Sequence, residues 1–154
     1  MPKQSAGILL FRHRQGELEV FLVHPGGPFW KSKDRGVWSI PKGEYEPPED
    51  PLAAARREFE EETGARLANG QFAHLGEIRQ ASGKVVTAWA AEGDCDADSI
   101  RGNTFAMEWP PKSGKLRQFP EVDRAEWFSL QAAREKLIAS QHPFLDRLEQ
   151  ASRK

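Results

Sequence analysis

The sequence predicts an α/β domain in which a mixed β-sheet is covered by helices. Three observations carry that prediction. Short apolar runs rich in β-branched and aromatic residues occur in both halves of the chain, at Gly7-Ile8-Leu9-Leu10-Phe11, Val20-Phe21-Leu22-Val23 and Val85-Val86-Thr87-Ala88-Trp89. One helix with both ends marked lies between the second run and the third, and apolar residues at helical spacing close the chain.

The first two strands are placed at Gln4 to Arg12 and Leu18 to His24, joined by a polar turn with Gly16. Residues 25–37 then form a loop that is long for so small a domain, and such loops are often functional. Its Gly26-Gly27-Pro28 is turn chemistry, because no Gly-Lys-Ser/Thr follows to open a phosphate-binding helix. Phe29 and Trp30 either stack on a nucleobase or plug the loop onto the core, and Lys31, Lys33 and Arg35 are candidate phosphate contacts. Trp38-Ser39-Ile40 reads as a brief strand that delivers the chain to Pro41-Lys42-Gly43, where Gly43 is expected to supply a tight bend.

The helix is predicted over Pro51 to Thr63. Asp50 can cap it, Pro51 sets φ at its first position, and Gly64 can take the left-handed conformation that ends it. Strands are expected at Leu75 to Arg79 and Val85 to Glu92, with a turn at Ser82-Gly83. Residues 93–104 read as an exposed acidic loop. Its Asp94, Asp96 and Asp98 imitate the start of a calcium loop but lack the turn glycine and closing glutamate. Phe105 to Trp109 is another strand, and Pro110 to Gly114 is loop. Ser129 can cap a helix from Leu130 to about Ala139. After His142-Pro143, Phe144, Leu145 and Leu148 give a second amphipathic segment to about Gln150.

At 154 residues, with no repeat or dividing linker, the chain is read as a single domain over 1–154. A net charge of -1 supplies no global field for a nucleic-acid polymer or an anionic membrane, but leaves room for a small phosphorylated partner bound in a local basic pocket. The single cysteine, Cys95, fits a reducing compartment, and nothing near Met1 reads as a signal peptide, so the expected location is cytoplasmic.

Function is concentrated in the helix. Leu52, Ala55 and Phe59 form its apolar stripe, and Glu58, Glu61 and Glu62 form a second stripe beside it at i, i+3, i+4 spacing. Like charges at this spacing repel by roughly 0.2–0.5 kcal/mol per pair. Glu60, Glu61 and Glu62 also crowd the C-terminal turn, where the helix dipole favours cations. A bound cation would turn the repulsion into shared coordination. With oxygen donors and no His or Cys nearby, the ion is hard, Mg²⁺ or Mn²⁺. The competing reading is a solvated acidic face balanced by Arg56 and Arg57.

Gly43, five residues, Glu49, seven residues and then Arg57-Glu58-Phe59-Glu60-Glu61-Glu62-Thr63-Gly64-Ala65 resembles the Nudix box, GX5EX7REUXEEXGU with U a bulky aliphatic residue. All fixed positions match; Phe59 and Ala65 depart at U positions. The resemblance implies an α/β/α sandwich and hydrolysis of a nucleoside diphosphate linked to another moiety. It also implies metal ligation by Glu58, Glu61, Glu62 and the backbone carbonyl of Lys42, with the Lys42 side chain free to meet a phosphate, and pairing of Glu49 with Arg57. A carboxylate often enters such sites from the loop before the last strand. Glu121 is the first choice here, with Asp123, Glu126 and Glu108 behind it. The general base is then Glu58 or Glu121. Pro41-Lys42-Gly43 resembles the diadenosine-polyphosphate hydrolases, and the wider stretches GGPFW, WSIPKGE and FPEVDRAEWF resemble bacterial predicted NTP pyrophosphohydrolases. The expected substrates are dinucleoside polyphosphates or nucleoside triphosphates, with oxidised dGTP as the alternative. A non-catalytic nucleotide-binding module and a protein-interaction surface are the other readings.

Overall fold

Apolar residues on both faces of one strand decide the architecture. In the computed structural model, which describes residues 3–68 and 70–152, β1 (Gln4–Arg14) sends Leu9 to one face of the sheet and Ala6, Ile8 and Leu10 to the other. A strand that is buried on both faces needs a layer on each. One layer is α1 (Pro51–Thr63), whose Ala54, Ala55 and Phe59 pack on Ile8, Phe21 and Ala125. The other is α2 (Leu130–Lys136) and α3 (His142–Ser152), whose Ala133, Phe144, Leu145 and Leu148 pack on Leu9, Leu22 and Val86.

The sheet contains β1, β2 (Glu17–Pro25), β3 (Lys42–Tyr45), β4 (Phe72–Arg79), β5 (Val85–Glu92) and β8 (Val122–Ser129), in the order β4-β5-β1-β2-β8. It is mixed: β1 and β5 run parallel, and the other pairs are antiparallel. This is the α/β class that the sequence predicts.

One edge of β1 is shared. Its C-terminal half pairs with β2 from Phe11↔Val20 to Arg14↔Glu17, whereas its N-terminal half pairs with β3 from Gln4↔Tyr45 to Gly7↔Lys42. Where β1 and β2 splay apart, residues 39–41 wedge between them: Ile8 N donates to Pro41 O, and Val23 and Ser39 exchange both backbone bonds.

Several boundaries differ from the sequence expectation. The strand expected at Trp38 to Ile40 is reduced to isolated bridges, and the regular strand starts later, at Lys42. Gly43 therefore lies in extended structure and makes no tight bend. α2 stops at Lys136, a 3-10 turn covers Ala139–Gln141, and α3 begins at His142 and continues to Ser152, because Pro143 is well tolerated in a first turn. β7 (Leu116–Pro120) was not expected; it pairs with β6 (Thr104–Glu108) in a separate two-stranded hairpin.

Candidate active site

The helix that carries the acidic stripe is fixed at both ends. Asp50 accepts a bond from Ala53 N, and Gly64, at φ 75°, returns its N–H to Glu60 O. No basic residue stands in the last turn, so the offset to the carboxylates there has to reach from Arg57, one turn earlier.

The three box glutamates are not equivalent. Glu58 and Glu62 are half-buried and turn toward β3, whereas Glu61 is exposed at the rim. Gly43 is required by that packing, because a Cβ there would lie 1.9 Å from Glu58 Oε2 and 2.1 Å from its Cδ. Room for the Glu58 carboxylate, rather than a bend, is what this glycine provides. Glu62 Oε2 accepts from Lys42 N at 3.3 Å. The Ile8–Pro41 bond sets the alternation along β1 and β3, so Lys42 is a position whose N–H and C=O both point away from β1. The Lys42 carbonyl is thus directed to the edge on which Glu62 lies.

Arg57 ties the cluster to the preceding loop. Its Nε and Nη2 donate to the two Glu49 oxygens at 2.8 and 2.9 Å, a bidentate fork, and its Nη1 donates to Glu58 at 2.8 Å and to Glu61 at 3.1 Å. Those carboxylates raise the Arg57 pKa, and Arg57 in turn holds Glu49 below the usual carboxylate range.

Glu121, between β7 and β8, comes from the far side of the sheet. It lines a cavity of about 170 Å³ with Lys42, Glu62, Ser39 and Ile40. Its backbone is clamped: Gly26 N donates to Glu121 O at 2.8 Å, and Glu121 N donates to Asn103 O at 2.9 Å. Gly26 allows that approach, since a Cβ would fall 1.9 Å from Pro120 O. Desolvation pushes Glu62 up to about 8, with the charges of Glu58 and Glu121 adding to the rise. Desolvation also raises Glu58, against the pull of Arg57, and lowers Lys42. Three carboxylates thus feel one another across a partly dry cleft.

The other expected contacts lie elsewhere. Arg35 is paired with Glu135 of α2, Asp123 with His24, and Glu108 accepts from Lys112 N, while Glu126 is exposed on β8. Trp30 is 42% exposed with Lys33 over its ring, and Phe29 is 55% exposed with its edge against Trp109. Neither aromatic plugs the loop into the core, and neither lines the cleft of Glu62 and Glu121.

The NUDIX domain model matches residues 1–148. The chain belongs to the Nudix family. Its fold is similar to that of a C. elegans Ap4A hydrolase, at TM-score 0.67 and 22% identity with 98% of each chain covered. It is also similar to the NUDIX domain of Shewanella oneidensis NrtR complexed with ADP ribose, at TM-score 0.68 and 17% identity, covering 99% of this chain and 89% of that one. In sequence it is 29% identical over 138 residues to an octanoyltransferase of Myxococcus xanthus. That match covers 88% of this chain, and the chain spans about a third (33%) of the length of that relative.

The Nudix box residues present suit a hard divalent cation. All candidate donors are oxygens, two of the carboxylates are desolvated, and the Lys42 carbonyl faces the same edge. Among the described residues no three acidic, His or Cys side chains form a ready cage. Such a partial set is what Mg²⁺ uses, since it binds through one or two carboxylates and completes its shell with waters and substrate phosphates.

Two buried polar side chains support this Nudix site from outside the box. Gln141 is fully buried, accepts from Ile40 N at 3.0 Å and donates to Ser39 Oγ at 3.0 Å, so it braces the wedge that leads into Lys42. His24 is also fully buried, with Nδ1 at 2.8 Å from Asp123 and Nε2 at 2.6 Å from Lys33 O, and it joins the long loop to β8. Gln141 gives no local signal. Its partners lie about a hundred positions away (101 and 102).

Proposed function

We propose that this Nudix domain is a metal-dependent pyrophosphohydrolase, cleaving a phosphoanhydride bond in a nucleoside diphosphate linked to another moiety. The observation that supports this reading is that Glu62 and Glu121 line one partly dry cleft with Glu58 lying over Gly43 beside it, an arrangement that costs stability unless positive charge enters it. Glu58, Glu61, Glu62 and the Lys42 carbonyl would hold Mg²⁺ or Mn²⁺, which neutralises phosphate charge and makes water a stronger nucleophile. Arg57 keeps Glu58 and Glu61 oriented through its own anchor on Glu49. Glu58 already accepts a bond from Arg57, whereas Glu121 has its backbone pinned at the cleft it lines and makes no ion pair among the described residues. Glu121 is therefore the better group to take the proton of the attacking water. The Lys42 side chain would meet a phosphate oxygen in this reading.

Dinucleoside polyphosphates or nucleoside triphosphates are the substrates this reading favours, supported by the likeness to an Ap4A hydrolase. Oxidised dGTP is the alternative substrate. The NrtR domain bound to ADP ribose supports a second reading, a non-catalytic nucleotide-binding module. The working location inferred is the cytoplasm, with Cys95 a free thiol. The test is a panel of nucleotides and dinucleotides assayed with each cation, with product analysis to find the bond that breaks. Turnover that needs the cation and falls at least about 10²-fold in Glu61→Gln and Glu62→Gln, with the fold intact, is the expected result. Turnover indifferent to chelation and to both substitutions would end the hydrolase reading, and tight nucleotide binding without turnover would favour the module.

A further inference from the structure

The β6–β7 hairpin is rooted on the candidate site at both feet. On one side, Arg101 N donates to Thr63 O at 2.7 Å, and Gly102 packs so closely on the end of α1 that a Cβ would meet Glu62 O at 2.2 Å. On the other, β7 ends at Pro120, beside Glu121, and the bond from Glu121 N to Asn103 O closes the base. The hairpin is off the main sheet, so it stands out from the site instead of covering the core.

Its two faces differ. The register pairs Phe105 with Phe119 and Met107 with Arg117, and Trp109 N bonds to Lys115 O one step further. Directly opposed residues share a face, so Phe105, Met107, Trp109, Lys115, Arg117 and Phe119 form one side. That side is turned to the long loop. Phe105 is the nearest neighbour of a Cβ at Gly27, at 3.0 Å, and Phe29 meets Trp109 edge-on at 5.5 Å. Hairpin and loop together make one wall, aromatic at its centre, with Trp30 and Lys33 at its open end.

The charge on this wall is uncompensated. Arg12, Arg35, Arg57, Lys84, Arg134 and Lys136 all pair with carboxylates. Among the described residues Lys31, Arg101, Lys112, Lys115 and Arg117 make no ion pair, and the Lys33 ammonium lies over the Trp30 ring. In a chain with net charge -1, the unpaired Lys115 and Arg117 on the aromatic face of the hairpin make a local basic field beside rings suited to a base. β6 has five residues, which at about 3.4 Å per residue span roughly 17 Å, so the hairpin carries its tip well beyond the foot that packs on the end of α1.

We propose that the β6–β7 hairpin and residues 26–33 form an arm that binds the distal half of an extended substrate. That half is a second nucleotide joined through a chain longer than a triphosphate, so the arm selects dinucleoside polyphosphates over nucleoside triphosphates. The proposal rests on the hydrolase reading and names its substrate class. Phosphates lie along Arg117 and Lys115, and the distal base rests on the exposed aromatic end at Trp30.

The test uses the whole chain with Mg²⁺ and compares diadenosine tetraphosphate with ATP. In the double variant Lys115→Glu/Arg117→Glu, both positions exposed on the hairpin surface, the preference in kcat/KM for the dinucleotide falls about 10-fold or more, through KM. Trp30→Ala lowers the same preference, and added salt erodes it in the wild type more than in the charge-reversed variant. An unchanged preference in the double variant, or a wild type with no preference, overturns the proposal. If the wild type turns over neither compound, the nucleotide panel decides the hydrolase reading, and the arm is judged by equilibrium binding of diadenosine tetraphosphate followed by tryptophan fluorescence. A 10-fold weaker Kd in the double variant upholds it, and an equal Kd overturns it.

Discussion

The two faces of the sheet are packed with different materials. Against α2 and α3 the layer is built round large side chains, Trp38, Phe128, Leu137, Phe144, Leu145 and Leu148, whereas against α1 five of the eleven buried residues are alanines, Ala6, Ala54, Ala55, Ala91 and Ala125, set among Ile8, Leu10, Phe21 and Phe59. Small residues let a helix approach closely. That approach is what brings the Glu58 carboxylate onto the α-carbon of Gly43 and Glu62 onto the backbone of Lys42. One face supplies apolar burial, and the other gives up some of it to hold acids near the sheet.

Three substitutions break or sharpen that contrast. Phe144→Ala removes a fully buried ring from the well-filled face and should cost about 3–5 kcal/mol in chemical denaturation, while the folded fraction keeps its specific activity. A smaller stability loss joined to a loss of activity would mean the faces are not separable. Gly43→Ala acts on the other face. Its methyl displaces the Glu58 carboxylate, the end of a flexible side chain, so the fold should survive while turnover drops about 10²-fold. Wild-type activity in that variant would remove Glu58 from the chemistry.

Glu62→Gln has the smallest effect on the fold and the most telling sign. Burial raises Glu62 from 4.5 to about 8, so its protonated form is the one the folded state prefers. The stability this gives is fully present below about pH 4.5 and is lost as pH rises toward 8. Without divalent ions the variant should therefore be more stable than the wild type at pH 7, by roughly 1–3 kcal/mol, and should lose the slope between pH 4.5 and 8. Added Mg²⁺ should stabilise the wild type more than the variant. Equal thermal melts across that pH range would show that Glu62 carries no such burden.

What the sequence reveals and what it hides divide along the range of the interactions. α1 is legible to the residue because Asp50, Pro51 and Gly64 act within one turn of it. β1, β2 and β5 are legible because burial on both faces leaves unbroken apolar runs. β3 and β7 are not, since Lys42-Gly43-Glu44-Tyr45 has no buried residue and four of the five residues of β7 are exposed. Chemistry follows the same rule. The box carboxylates announce themselves by crowding a helix end, while the reason for Gly43 becomes visible only when Glu58 is seen lying over it. Arg35 misled for the converse reason: a cation on a loop near the site is as readily taken by Glu135 of a neighbouring helix.

The hairpin contributes no strand to the main sheet, and its hydrogen bonds are internal apart from those at its base. Lengthening, trimming or recharging it leaves the strand pairing of the main sheet untouched. Descendants of this chain can therefore drift toward new substrates by rewriting exposed positions of the hairpin above its base, within about 106–118, without renegotiating the catalytic centre.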